Sequence, residues 1–448
     1  VKMTKKSIVL GFGVSGRSCA ELLLKQGRRV IVLDSKANEL KNEPAVSQFI
    51  ARGVDFISDN AVMDWTAIDQ VVISPGIALS HPLVVQAIHR NVEVIGEIEL
   101  AFRNLSNRCI GVTGTNGKTT VVMLIGHVLK AAGIAAQTLG NIGTSLSSYA
   151  LSPNPNDLLV VELSSFQLET LHHNCLDAAL ILNITPNHLD RHASMEDYAK
   201  AKCRIGQCLK KDGVLWITRS IAAEYSHLLG PAKFLEDIQF EDIPKQLEKL
   251  IFEHGPVATI SPMRYIQLGV PERQNIRAAY VLCRQFGVTD VQFWRGLETF
   301  RKPKHRIEFV GEWMDISFYD DSKATNIDSV MHAVGLFEGP IILLAGGVHK
   351  GWSYQPWIAA FRGKVARVVA FGQASSMIEK DLSGKIAVER VETLEQAVCS
   401  AVKCAAPQTT ILLSPGCSSF DQFRNYEHRG NEFKRIFEEK VWIERKRS

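Results

Sequence analysis

Residues 111–120 read GVTGTNGKTT. The apolar stretch CIGVT runs into them and VVMLIGHVLKAAG follows, so strand, loop and helix succeed one another, the helix spanning about 118–132. Glycines at 114 and 117 let successive backbone N–H groups converge on phosphate oxygens, and the N-terminus of the next helix favours the same anion. Lys118 can reach β- and γ-phosphates, and the Thr119 hydroxyl can ligate Mg2+. The common phosphate loop, G-x-x-x-x-G-K-[ST], has its first glycine where this chain has Val112. The stretch is therefore a variant ATP loop, with Gly114, Thr115, Asn116, Gly117, Lys118, Thr119 and Thr120 as its candidate nucleotide contacts.

A triphosphate bound with Mg2+ needs further oxygen ligands. Glu162 closes the next apolar strand, where P-loop proteins place a second metal-binding acid. NITPNHLDRH follows another strand and sets Asn183, His188, Asp190 and His192 at a strand end, where α/β sheets assemble their sites. On the residues alone, His188 is either a metal or phosphate contact or a structural histidine. A helical region is expected over about 195–210, and helices near 272–287 and 290–300; the stretch 220–270 is weakly patterned.

Upstream, GFGVSG at 11–16 follows a strand, opens a helix and precedes Asp34 at the end of the next strand. That is the dinucleotide-binding fingerprint in its expected context. Its physics is a set of N–H groups at a helix N-terminus, which suits NAD or the pyrophosphate of UDP equally, and a tight turn without a ligand has the same pattern. The first hundred residues alternate short buried strands with helices, the signature of a parallel sheet. Downstream, RKPKHRIEFV reads as a linker running into a strand, and strands and helices then alternate again to the end. YDDSKATN at 319–326, LLAGGVHKG ending at Gly351, and SPGCSSFDQF at 414–423 each follow a strand and carry anion-holding or carboxylate-holding residue types. Each is also consistent with turns and helix caps, Asp321 and Ser419 being good N-cap types.

At 448 residues the chain exceeds what one core supports. An α/β architecture of three domains is expected, split near 105 and 300: an N-terminal Rossmann-like sheet over 1–104, a central P-loop ATPase-type sheet over 105–300, and a C-terminal Rossmann-like sheet over 301–448. A net charge of +4 gives no electrostatic case for nucleic acid. No apolar run is long enough to span a membrane, and the N-terminal VKMTKKSIVLG reads as a first strand rather than an export signal. Val1 in first place suggests an alternative start codon. Nine cysteines without a C-x-x-C pair fit a reducing cytoplasm better than a disulfide or zinc framework. No G-x-S-x-G elbow or kinase H-R-D and D-F-G signature occurs.

Taken together, GVTGTNGKTT, NHLDRH, DDSKATN and SPGCSSFDQFRNYEHRG resemble the Mur ligases of peptidoglycan synthesis, in order along nearly the whole chain, and the last two segments resemble the D-glutamate-adding branch. The resemblance implies a monomeric cytoplasmic enzyme that uses ATP and two Mg2+ ions to join D-glutamate to UDP-N-acetylmuramoyl-L-alanine (UDP-MurNAc-L-Ala) through an acyl phosphate, with no nucleic-acid partner. GFGVSG then cradles UDP, with Val14, Ser15, Asp34, Ser35, Lys36, Ser74, Gly76 and Asn141 matching substrate contacts. Lys118, Glu162, His188, Lys202, Lys323 and Lys350 match catalytic positions. Thr119, Glu162, His188 and Lys202, the last as a carbamate, match metal ligands. Asn275, Arg306 and Asp321 match further ATP contacts, and Lys323, Thr325, Lys350, Ser419 and Phe420 match D-glutamate contacts. The chain departs from the pattern at Lys36, where arginine is expected, at GGVHKG in place of a GGDGK turn, and at Tyr426 in place of phenylalanine. The alternatives are a Mur-type ligase adding another amino acid, and an NAD(P) oxidoreductase that would leave TNGKTT idle.

Overall fold

The computed structural model describes residues 5–41, 43–187, 191–237, 273–349 and 351–445. Three sheet-containing α/β domains follow one another along the chain. In the first, β1 (Lys6–Leu10), β2 (Arg29–Leu33), β3 (Asp55–Ile57), β4 (Ile68–Ile73) and β5 (Glu93–Gly96) pair in the order β3-β2-β1-β4-β5, all parallel. The chain winds outward from β1 to β3 and returns to β4, so the strand order reverses between β1 and β4. Ligands bind such sheets at that reversal, beyond the strand C-termini. The loops there are Gly11–Gly13 and Ser74–Gly76.

The second sheet holds β6 (Cys109–Thr113), β7 (Ala136–Gly140), β8 (Leu158–Glu162), β9 (Leu176–Ile181), β10 (Leu209–Ile217) and β11 (Lys233–Phe234), in the order β11-β10-β9-β6-β8-β7. Its strands are parallel, and β6, β8 and most of β9 are buried throughout. The helical region expected over 195–210 is shorter: the α-helix Met195–Cys203 tightens into a 3-10 turn at Arg204–Cys208, and β10 starts at Leu209.

The third sheet is mixed. β12 (Glu308–Trp313) and β13 (Ile316–Asp320) form an antiparallel hairpin, and β13, β14 (Ile341–Gly346), β15 (Val365–Phe371), β16 (Val388–Arg390) and β17 (Thr410–Gly416) continue in parallel, in the order β12-β13-β17-β14-β15-β16. The expected Rossmann-like sheet is present, with an antiparallel edge strand added.

The described residues group into two compact units, one holding the first two sheets and the other the third. Within the first unit one apolar cluster runs from Val9 and Leu23 through Leu139 and Leu163 to Tyr225, spanning both sheets. The short helix Glu97–Phe102 adds polar ties. Glu97 Oε1 accepts the Ser147 N–H at 2.6 Å, and Glu99 Oε2 accepts the N–H groups of His172 and His173 at 2.8 and 2.9 Å. Both carboxylates are buried, and burial raises the pKa of Glu97.

Candidate active site

The loop after β6 is built by two departures from ordinary backbone. Gly114 has φ +150 and Gly117 has φ +83, a region that L side chains rarely adopt. Val112 lies within β6, fully buried and in register with Glu162, so the first glycine of the common motif has no turn to make here; Gly114 makes it two residues later. Asn183, just beyond β9, staples the loop. Its side-chain oxygen accepts from the N–H groups of Thr115 and Asn116 at 3.0 and 2.8 Å, and its Nδ2 donates to the Asn116 carbonyl at 3.1 Å. The 14-residue helix Lys118–Ala131 opens directly on the loop.

The β6–β8 register brings Glu162 alongside the loop. Thr119 Oγ1 donates to Glu162 Oε2 at 2.8 Å, and Asn141 Nδ2 donates to Oε1 at 3.0 Å. Glu162 is only 2% exposed. Gly140 is needed behind it, since a Cβ there would stand 2.3 Å from the Glu162 carbonyl oxygen. Asn141, matched above to substrate contacts, is thus tied to the Glu162 carboxylate. Asn275, from the helix Arg273–Gln285, is packed against Gly117, where a Cβ would meet its Oδ1 at 2.6 Å. A hydroxyl and a carboxylate on one center are the hard oxygen donors that Mg2+ takes, and a glycine-lined cradle at a helix N-terminus is what a triphosphate takes, so these residues fit both groups.

Two lysines share one acceptor. Lys118 Nζ donates to the carbonyls of Gly114 and Thr115 at 2.9 and 2.8 Å, and Lys202 Nζ donates to the same Gly114 carbonyl at 2.7 Å. The helix Met195–Cys203 buries Tyr198, Ala201 and Lys202 on one face, with Ile205 continuing it, while Lys200 is exposed. Lys202 is 2% exposed and lies 4.5 Å from the centroid of the Tyr198 ring. Burial, reinforced by the Lys118 charge, pulls its pKa well below the usual lysine range. His192, a candidate by its motif, is structural here: it is stacked on Phe166 and its Nε2 lies 3.0 Å from Ser165 Oγ. His188 and Asp190 lie outside the described residues.

At the reversal of the first sheet, Asp34 accepts the Phe12 N–H and the Lys36 N–H, both at 2.8 Å, and Ser74 Oγ donates to the Gly11 carbonyl at 2.9 Å. Gly16 cannot be replaced, because a Cβ there would lie 2.0 Å from the Gly11 oxygen. Val14 is 77% exposed at the head of its helix, Ser15 is half-buried, and Ser35 and Lys36 are exposed. Gly76 accepts from Arg191 at 3.1 Å. Thr120 is buried within the helix that follows the ATP loop.

In the second unit, Asp321 caps no helix; Asn326 does that for Ile327–Gly335. Asp321 is buried, accepts from Ser414 Oγ at 2.8 Å, and has its pKa pushed up to about 7 by burial. Arg306 lies between His305 and Ile307, both at positive φ, and Lys323 Nζ stands 3.7 Å from the Tyr426 ring centroid. Thr325 is half-buried, Ser419 is buried and Phe420 is 73% exposed. Lys350 lies outside the described residues. Two residues outside the sequence-derived candidates belong to this region: Tyr426, the ring partner of Lys323, and Arg429, a buried cation. Arg429 shares a helix face with Phe433 and Ile436, and that spacing is the signal that marks it.

Three Mur ligase domain families match this chain. The MurD-like N-terminal domain matches residues 5–96, the middle domain 112–231, and the glutamate ligase domain 305–417. UDP-N-acetylmuramoylalanine--D-glutamate ligase from Protochlamydia amoebophila (strain UWE25) is 44% identical over 437 residues, which is 96% of this chain and 97% of that protein. The chain belongs to the Mur ligase family. The enzyme of the same name from Chlamydia caviae is 35% identical over 438 residues, 96% of this chain and 97% of its own length. Among solved structures, the UDP-N-acetylmuramate-alanine ligase MurC from Thermotoga maritima aligns over 97% of this Mur ligase and 99% of its own chain, with a TM-score of 0.55 at 17% identity. A bifunctional folylpolyglutamate synthase/dihydrofolate synthase from Yersinia pestis aligns over 72% of this chain and 88% of its own, with a TM-score of 0.51 at 16% identity. At those identities the likeness is one of fold. Among the described residues, no helix is long and apolar enough to cross a membrane.

Proposed function

We propose that this Mur ligase joins D-glutamate to UDP-MurNAc-L-Ala at the expense of ATP. The cluster in which Thr119 bonds Glu162 while Lys118 and Lys202 converge on the Gly114 carbonyl supports the ATP-dependent step, and the 44% identity to a D-glutamate ligase over 96% of the chain supports the substrates. Residues 105–300 hold ATP, residues 1–104 the UDP moiety, and residues 301–448 the amino acid. The Rossmann-type loop of the first sheet is then a UDP cradle, and the variant ATP loop carries the chemistry.

A carboxylate is a poor electrophile. Transfer of the γ-phosphoryl group of ATP to the terminal carboxylate of UDP-MurNAc-L-Ala gives ADP and an acyl phosphate. The D-glutamate amine attacks its carbonyl carbon, and the tetrahedral adduct collapses to the amide with loss of phosphate. Lys118 would offset the charge of the triphosphate. Thr119 and Glu162 would hold one Mg2+, and Asn141 fixes the Glu162 carboxylate in place. Bound Mg2+ supplies charge neutralisation between the reacting anions. Asn275, Arg306 and Asp321 bind the nucleotide; Val14, Ser15, Asp34, Lys36 and Ser74 serve the UDP group; Lys323, Thr325, Lys350, Ser419 and Phe420 serve D-glutamate.

Lys202 serves as a carbamate. Two ammonium groups on one carbonyl oxygen repel each other, and a buried neutral amine adds CO2 with loss of a proton. The product is an oxygen anion beside Lys118, so the repulsion becomes attraction. That anion and His188 would hold a second Mg2+. The enzyme acts as a cytoplasmic monomer without a nucleic-acid partner.

The test is phosphate release from ATP with Mg2+, UDP-MurNAc-L-Ala and one amino acid at a time. Release with D-glutamate alone is expected. Release with L-alanine or meso-diaminopimelate, or oxidation of NADH in its place, overturns the reading.

A further inference from the structure

Within the third sheet, β13, β17 and β14 are adjacent and parallel, and the loops leaving their C-terminal ends carry Lys323, Ser419 and the Gly346–Gly347 turn. Arg429, on the C-terminal helix Tyr426–Arg445, reaches all three loops. It is 0% exposed. Its Nε donates to Ser322 Oγ at 2.9 Å and its Nη2 to the Ser322 carbonyl at 2.8 Å. Its Nη1 donates to the Cys417 carbonyl at 3.1 Å and, at 3.4 Å, to the Gly346 carbonyl. We propose that Arg429 is the positioning residue that sets the amino-acid pocket, locking three strand-end loops in mutual register through their backbone oxygens.

Further observations point the same way. Among the described residues no carboxylate lies in hydrogen-bonding contact with Arg429, so the cation is spent on backbone carbonyls and one hydroxyl. Burial lowers its pKa to about 10, which still leaves it charged at neutral pH. The loops close around it without room for side chains: a Cβ on Gly347 would stand 2.1 Å from the Ser418 oxygen and 3.2 Å from Arg429 Nη1. The Val348 N–H donates to the Ser418 carbonyl at 2.8 Å, joining two of the loops directly. Ser322 Oγ also donates to the Tyr426 carbonyl at 2.8 Å, and Tyr426 presents its ring to Lys323. A displacement of Arg429 therefore propagates to Lys323 on one side and to Ser419, two residues from Cys417, on the other. Lysine cannot replace it, because a single ammonium lacks the planar fork that spans three loops.

The inference rests on the proposed D-glutamate ligation, and the experiment separates the two. Steady-state phosphate release is measured on the full chain for wild type, Arg429→Lys and Ser322→Ala, varying each substrate in turn. An inactive wild type refutes the proposed function. With an active wild type, Arg429→Lys is expected to raise the KM for D-glutamate about tenfold or more, and Ser322→Ala about threefold, as positional error in a substrate-holding group does. The KM values for ATP and UDP-MurNAc-L-Ala are expected to stay within about twofold. If Arg429→Lys fails to fold, Ser322→Ala alone decides. A parallel rise in all three KM values, or a fall in kcat with the D-glutamate KM unchanged, overturns the proposal.

Discussion

Gly117→Ala tests the construction of the ATP loop. The added methyl meets two obstacles. The backbone is at φ +83, where an L side chain costs about 1–2 kcal/mol. The Cβ would also stand 2.5 Å from Leu182 Cδ2 and 2.6 Å from Asn275 Oδ1. Overpacking of that kind costs about 1–3 kcal/mol, so the whole loss is expected at about 2–5 kcal/mol. Gly133 provides the control within the same unit. Its φ is +82, almost the same, but a Cβ there has nothing within 4 Å, so Gly133→Ala should cost only the backbone part, about 1–2 kcal/mol. Guanidinium denaturation of the full chain gives both losses, and phosphate release against ATP concentration gives the functional effect. Because Asn275 must give way, the ATP KM of Gly117→Ala should rise about tenfold, while that of Gly133→Ala should not move. Equal destabilisation in the two variants, or an unchanged ATP KM in Gly117→Ala, refutes the reasoning.

Lys202→Ala should lower turnover about a hundredfold or more, with partial return when formate or acetate is added, since a short carboxylate restores the missing oxygen anion; full activity without addition removes Lys202 from the metal site. Stability should depend on pH through Asp321. Its folded pKa of about 7 lies above the ordinary 3.8, so the native state holds a proton that the unfolded chain releases, and stability falls as pH rises through that window. A gap of roughly three pH units at about 1.4 kcal/mol apiece sets an upper scale on the order of 4 kcal/mol. Asp321→Asn should flatten the pH dependence of denaturation between about pH 4 and 7; an unchanged slope assigns it to other groups.

Much of the architecture was legible because buried parallel strands write themselves as unbroken apolar runs between loops rich in glycine and hydroxyl residues. The antiparallel edge was not. The turn joining β12 to β13 is Met314-Asp315, with φ of 49° and 60°, a conformation that chains usually announce with Asn-Gly or Asp-Gly. Without a glycine the hairpin has no signature, and the stretch before it reads as a linker. At the site, the pairing of Thr119 with Glu162 follows from strand, loop and strand-end acid. The burial of Lys202 was legible only in the spacing of Tyr198, Ala201 and Ile205 around it, because YAKAK by itself does not distinguish Lys202 from the exposed Lys200. The helix spacing marks Arg429 as buried, but its partners were not legible, because they include backbone oxygens of Gly346 and Ser322, 83 and 107 residues away.

The two buried glutamates of the helix Glu97–Phe102 bear on how this enzyme can be re-engineered. Grafting a foreign module in place of the first hundred residues would remove the carboxylates that accept from the amides of Ser147, His172 and His173, and the loss is costliest at Ser147, which is buried. A workable chimera must therefore transplant the Glu-x-Glu helix with its receiving loops, or keep both and confine its changes to the loops after β1 and β4.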